Sequence, residues 1–154
     1  MFSKEESRQL KTTFWNGFEA HMSNTRSSNG RRINWVSYPT GVKTIFVRLE
    51  ADGKGTRVCF DIQHKSEDLR LLLFEQMTEM KNVMDDSMGV EAVWIENYHY
   101  LHEQYISRIV WEDSNLNFYN SEHKLKIYQF LSQILIKFDL FYQEYKDILI
   151  SLAN

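Results

Sequence analysis

The apolar positions of this chain change period several times, and each change predicts an element. Ser3 and Glu6 form a capping box, and Leu10, Phe14, Phe18 and Met22 then recur every fourth residue beside Trp15. That spacing predicts a helix from about Lys4 to Met22. Ser23 to Arg32 is rich in Ser, Asn and Arg and reads as a solvated loop. Ile33 to Tyr38 reads as a first strand, followed by a turn at Tyr38-Pro39-Thr40-Gly41. From Thr44 to Asp52 the period is two: Ile45, Val47, Leu49 and Ala51 share one face, and Thr44, Phe46, Arg48 and Glu50 the other. Arg57 to His64 alternates as well, with Val58, Phe60 and Ile62 opposed to Arg57, Cys59, Asp61 and Gln63. Asp52-Gly53-Lys54-Gly55 between them is a hairpin turn.

The helical period returns near Ser66, an N-cap candidate followed by Glu67 and Asp68 at the positive end of the helix dipole. Leu69, Leu72, Leu73, Met80, Val83 and Met84 make the expected inner stripe, widened by Leu71, Phe74 and Met77, and Gly89 ends the helix. Two further strands are expected at about Ala92 to Tyr98 and Tyr105 to Trp111, with a short extended piece near Leu116 to Tyr119. The last helix is predicted from Ser121 to about Leu152 with two apolar stripes. One runs through Tyr128, Leu131, Leu135, Phe138, Tyr142, Tyr145, Leu149 and Leu152, the other through Ile127, Phe130, Ile134, Phe141 and Ile148. At 1.5 Å per residue it spans roughly 45 Å, more than the roughly 35 to 40 Å width of a domain this size. It must therefore break, protrude, be packed on both stripes by its own domain, or use the second stripe as a dimer interface. The prediction is a single α+β domain over residues 1–154, with a largely antiparallel sheet of about five strands. Its order is helix, three strands, helix, two strands, long helix.

Composition narrows the function classes. Lys and Arg number 18 against 21 Asp and Glu, which excludes a bulk basic nucleic-acid binder while leaving room for a local basic patch. A single cysteine, Cys59, excludes an internal disulfide and multi-cysteine zinc sites. With no membrane-length apolar run and no signal-peptide pattern, the expected setting is the cytoplasm, with no membrane partner.

Three sets of residues offer chemistry. The first is Asp61, Gln63 and Lys65. Helix, three strands, helix and strand is also the order of the restriction-endonuclease-like fold, whose enzymes use a second-strand acid and an acid-x-Lys pair on the third strand to hold Mg²⁺ or Mn²⁺. Gln can stand in for that acid. The hairpin register works against this match. A two-residue turn at Gly53-Lys54 pairs Glu50 with Arg57, Arg48 with Cys59, Phe46 with Asp61 and Thr44 with Gln63. The second-strand acids Glu50 and Asp52 then lie roughly 20 Å from Gln63 and Lys65. Cross-strand ion pairing on a solvated face, Glu50 with Arg57 and Arg48 with Asp61, is the simpler reading. The second set is Arg26, Arg31 and Arg32 with Trp35, which could grip a nucleic-acid backbone and stack on bases. The third is the stripe Ile127, Phe130, Ile134, Phe141 and Ile148 as a self-association surface. His99, His102 and Glu103 lack a third and fourth ligand in sequence and are read as loop residues, so no metal site and no cofactor is expected outside the nuclease alternative. His64 at a strand end is read as a core or capping histidine. The rings of Trp94, Tyr98, Tyr100, Tyr105 and Trp111 concentrate interface-type side chains in one hairpin.

Several stretches resemble an uncharacterised bacterial family of unknown function that, in longer proteins, can follow a nuclease-like region. They are Phe14-Trp15 with Phe18, Asn34-Trp35 with Tyr38 and Thr40-Gly41, Arg48 to Asp52, and Ile62-Gln63-His64-Lys65 leading into Leu72-Leu73-Phe74-Glu75-Gln76. The resemblance covers about residues 3 to 112. It implies a stand-alone copy of an accessory domain, working near nucleic acid in restriction or defence, and it implies no reaction. The expected function is a non-catalytic module binding a protein or nucleic-acid partner. The alternative is a metal-dependent nuclease, and a small-molecule sensor is a third reading.

Overall fold

The structure, a computed structural model, describes residues 2–154. Helix α1 spans Lys4–His21, and its capping box forms as expected: Ser3 Oγ accepts from the Glu6 amide and the Glu6 carboxylate from the Ser3 amide. Strands β1 (Ile45–Asp52) and β2 (Gly55–Ile62) make the predicted hairpin in the predicted register, with Glu50 opposite Arg57 and Phe46 opposite Asp61. Helices α2 (Glu67–Glu79) and α3 (Lys81–Met88) replace the single helix expected there; the chain kinks at Met80 and stops at Gly89, whose φ of 68° is left-handed. Strands β3 (Val93–His99) and β4 (Tyr105–Asp113) follow, and the chain ends in α4 (Lys124–Ala153).

The sheet is antiparallel throughout, in the order β1-β2-β4-β3. It has four strands rather than about five, because Ile33–Tyr38 is not extended in a ladder. Asn34 Oδ1 accepts from the amides of Val36 and Ser37 and bends the chain. Trp35 and Tyr38 still point inward and are 3% and 5% exposed, so their apolar spacing reflects anchoring and not a pleat. The piece near Leu116 also fails to become a strand; it is tied to the sheet by the Phe118 amide donating to the Asp52 carbonyl and by Thr56 Oγ1 donating to the Leu116 carbonyl. Two strands, not three, therefore lie between α1 and α2, and the strand order behind the nuclease comparison is absent.

One face of the sheet carries the core. Val58, Phe60 and Ile62 of β2 and Ile109 and Trp111 of β4 are buried, and Phe138 of α4 packs its ring against Phe60 and Trp111. Within α2 and α3 the buried side chains are Arg70, Leu73, Phe74, Met77, Met84 and Met88, while Leu72 and Val83 are exposed. The true apolar stripe is rotated from the predicted one and takes in an arginine.

Helix α4 is unbroken over its 30 residues, about 45 Å. Most of both stripes is buried within this chain, with α2, α3 and the N-terminal third packed along the helix, while Phe130 is half-buried and Ile148 exposed. Tyr128 donates to the Phe14 carbonyl, Asp139 receives Ser27 and Tyr38, and Tyr142 donates to the Thr40 carbonyl. The Tyr128 hydroxyl lies where a side chain on Gly17 would begin. Gly17→Ala is expected to lower stability by about 1 to 3 kcal/mol through overpacking, read as a lower urea midpoint with an unchanged slope.

Candidate binding face and cleft

With the helices on one side of the sheet, the opposite face is left to the second set of alternating residues. The register brings Asp61 beside Arg108 of β4 and diagonal to Arg48 of β1. Arg108 donates to both Asp61 oxygens, Nε to Oδ1 and Nη2 to Oδ2, each at 2.8 Å, and Arg48 donates to Oδ2 at 2.9 Å. A second cluster lies nearer the turn, where Arg57 donates to Glu50, Asp52 and Glu112. The pairs Glu50 with Arg57 and Arg48 with Asp61 are those the register predicted. The face beneath them is not solvated, however. Asp61 and Cys59 are 0% exposed and Arg108 only 3%.

The cover is aromatic. The Arg108 guanidinium sits 4.3 Å from the ring centre of Tyr98, and that of Arg48 sits between Phe46 and Tyr100, at 4.5 and 4.6 Å. Burial alone would lower the pKa of Arg108, but its bonds to Asp61 hold it above the ordinary arginine value. The same balance, set by Glu112 and Glu50, holds Arg57 up. Burial pushes the Cys59 thiol far up, so it behaves as an inert small apolar group. Burial pushes Asp52 upward, and the amides of Lys54 and Gly55 together with Arg57 jointly outweigh it, leaving this carboxyl below its ordinary 3.8.

Gln63 and Lys65 do not join Asp61 as a metal-binding set. The Gln63 amide is taken at both ends, its oxygen accepting from Arg48 and its nitrogen donating to Gln104. Lys65 is exposed and lies beyond the end of β2. Among the described residues no three His, Cys, Asp or Glu side chains converge as metal ligands. His99 faces the Tyr105 ring, and His102 and Glu103 occupy the tight turn before β4 with φ of 53° and 61°. His64 is a capping residue, its Nδ1 accepting from the Ser66 amide at 2.9 Å just before α2.

Gln63 also links this face to an open cleft of about 580 Å³ lined by His64, Lys65, Glu67, Arg70, Asn97, Gln104 and Tyr105. Arg70 forms its inner wall. It is buried to 3% exposure and donates to the Glu96 carbonyl, Ser107 Oγ and Asn97 Oδ1, all neutral acceptors. The sequence reading missed Arg70, Arg108 and Asp139. A signal existed for the first two, since each is a lone cation inside an otherwise apolar run.

The other predicted sites are placed differently. Arg26, Arg31 and Arg32 are exposed, and Arg26 caps its own loop at the Gly30 carbonyl. Trp35 is enclosed and donates from its ring nitrogen to the Thr25 carbonyl, so it offers no face for stacking on a base. Of the stripe read as an interface, Ile127, Ile134 and Phe141 are consumed by the protein's own core at 0%, 5% and 1% exposure. Phe130 is half-buried and Ile148 is exposed. The outward side of α4 instead shows Leu125, Ile136 and Leu140. Among the described residues no helix is long and apolar enough to cross a membrane.

Neither the curated proteins nor the solved structures include a match to this chain. Residues 10–146 match a family described as a domain of unknown function, DUF4268, and the chain belongs to that family.

Proposed function

We propose that this chain is a non-catalytic accessory module that docks a protein partner through the face of its sheet that carries no helix. The observation that carries this reading is the state of Asp61. Its carboxylate is fully buried and enclosed by the guanidiniums of Arg48 and Arg108. Divalent-metal chemistry at this position would first have to displace both cations. Neither Glu50 nor Asp52 replaces it, because both are engaged by Arg57 at the turn end of the hairpin.

The chemistry of the face favours protein over nucleic acid. Its arginines are already matched by Glu50, Asp52, Asp61 and Glu112, so little free positive charge remains for a phosphodiester backbone. What it presents is arginine stacked on tyrosine and phenylalanine, with Phe46 and Val93 exposed at 40% and 59%. Immobilised arginine and aromatic side chains are the groups that carry most binding energy at protein interfaces. A cytoplasmic setting beside a nuclease-like region of a restriction or defence system belongs to the same reading.

The test compares wild type with two surface variants, Phe46→Glu on the sheet face and Ile136→Glu on α4, each tagged and cross-linked in its host cells. A specific protein partner is expected with wild type and Ile136→Glu, and is expected to be lost with Phe46→Glu. Labelled duplex and single-stranded oligonucleotides should remain uncut in Mn²⁺ as in EDTA. Metal-dependent cleavage, a partner that survives Phe46→Glu but not Ile136→Glu, or a duplex shift abolished by Phe46→Glu would each overturn the proposal.

A further inference from the structure

We infer that the cleft at the head of α2 is a binding site for the phosphate group of a small phosphate ester. Arg70 is the buried cation of this cleft. An arginine carries five N–H donors and a charge that cannot be titrated away in water. Three of the five are used: both on Nη1, by the Glu96 carbonyl and Ser107 Oγ, and one on Nη2, by Asn97 Oδ1. Nε–H and the second Nη2–H meet no acceptor among the described residues. None of the ion pairs among these residues includes Arg70, although the side chain is 3% exposed. A buried cation without a counter-charge is costly. The other buried arginine, Arg108, has its carboxylate in Asp61, which makes the omission at Arg70 specific to this cleft.

The remaining lining supplies what an oxyanion needs. Lys65 is exposed, makes no ion pair and stands at the mouth. Ser66 caps α2 by accepting from the Leu69 amide, which leaves the Glu67 and Asp68 amides at the positive end of a 13-residue helix without protein acceptors. The planar fork of Arg70 suits two oxygens of one phosphate, with Lys65 as a point charge on the third. Glu67 is the single acid in the lining and sits at the rim, where it limits how many charges a ligand brings. The cleft, at about 580 Å³, exceeds what a bare phosphate fills, and the ring of Tyr105, 54% exposed, lines the rest. A phosphate joined to an organic group fits this division better than a free ion. This site stands whether or not a protein docks on the sheet face.

The test titrates the intact protein with inorganic phosphate, adenosine monophosphate and adenosine, at constant ionic strength maintained with chloride, and follows binding by calorimetry and by the thermal midpoint. Phosphate is expected to raise the midpoint where chloride does not. The nucleotide should bind at least five-fold more tightly than phosphate, and adenosine should not bind measurably. Lys65→Gln, at an exposed position that leaves the fold intact, should weaken phosphate binding at least five-fold. Arg70→Lys should abolish it, provided its circular dichroism matches wild type. Phosphate indistinguishable from chloride, or Lys65→Gln binding phosphate as wild type does, overturns the site. A nucleotide that binds no better than phosphate overturns the ester and leaves a bare-anion site.

Discussion

Replacing Asp61 with Asn is expected to cost about 3 to 5 kcal/mol of stability. The carboxylate is fully buried and accepts three bonds from two guanidiniums. Removing its charge leaves Arg108, itself 3% exposed, inside the sheet face with only the longer 3.5 Å pair to Glu50. The cost comes chiefly from the stranded cation and less from the lost attraction, because a buried ion pair roughly balances its own desolvation. That distinction is measurable. The triple variant Arg48→Met, Asp61→Leu, Arg108→Met removes both cations and the acid together and should recover most of the loss in urea denaturation. If Asp61→Asn alone were as stable as wild type, the ion cluster would not be a structural element, and a reactive role for Asp61 would return. The prediction also bears on any activity assay. Loss of function in Asp61→Asn can arise from unfolding, so the variant must be shown folded before it says anything about chemistry.

The second large effect is expected at Asp139, on the opposite layer. This carboxylate is 2% exposed and has no cation beside it. It accepts from Ser27 Oγ at 2.8 Å, the Ser28 amide at 2.6 Å, the Tyr38 hydroxyl at 2.6 Å and Gln143 at 3.4 Å. Burial, and then the bond to Asp139, push the Tyr38 hydroxyl far above its ordinary pKa, so it stays a donor at every physiological pH. Asp139→Ala leaves the buried hydroxyls of Ser27 and Tyr38 without their acceptor, each costing about 1 to 3 kcal/mol. A loss of at least about 2 kcal/mol follows. The damage should be local first. Residues 23–43 have no ladder of their own and hang on Asp139, Trp35 and Tyr142, so limited proteolysis should cut within them before it reaches the sheet. Cleavage spread evenly over the chain would show that this anchor is not what holds the segment.

The elements that could be read in the residues are those set by local periods and local turns. The capping box at Ser3, the Gly53-Lys54 turn with its register, the two strands of the second hairpin and the length of α4 all depend on neighbours a few positions apart. The hairpin register alone placed Glu50 opposite Arg57 and separated the acids from Gln63 and Lys65. The errors lie where an apolar spacing had two explanations. Ile33, Trp35 and Tyr38 look like a strand because anchoring side chains and pleated ones can share a period, and only the bend made by Asn34 separates the two. The stripe from Ile127 to Ile148 looked available to a partner because a helix seen alone does not reveal what lies across from it.

Arg70, Arg108 and Asp139 show the same limit from the polar side. Whether a charged residue faces water or the interior depends on which distant segment covers it. Arg108 is roofed by Tyr98 and Tyr100, Asp139 by a loop more than 100 positions away, and Arg70 by the stretch of β3 where its register shifts between Ile95 and Tyr98. Burial is a property of the assembled layers, since it is set by contacts that chain connectivity does not specify. The periods therefore yielded helices, strands and one register. Only the packed layers decided which face of the sheet carries no helix, and which cation was left without a counter-charge.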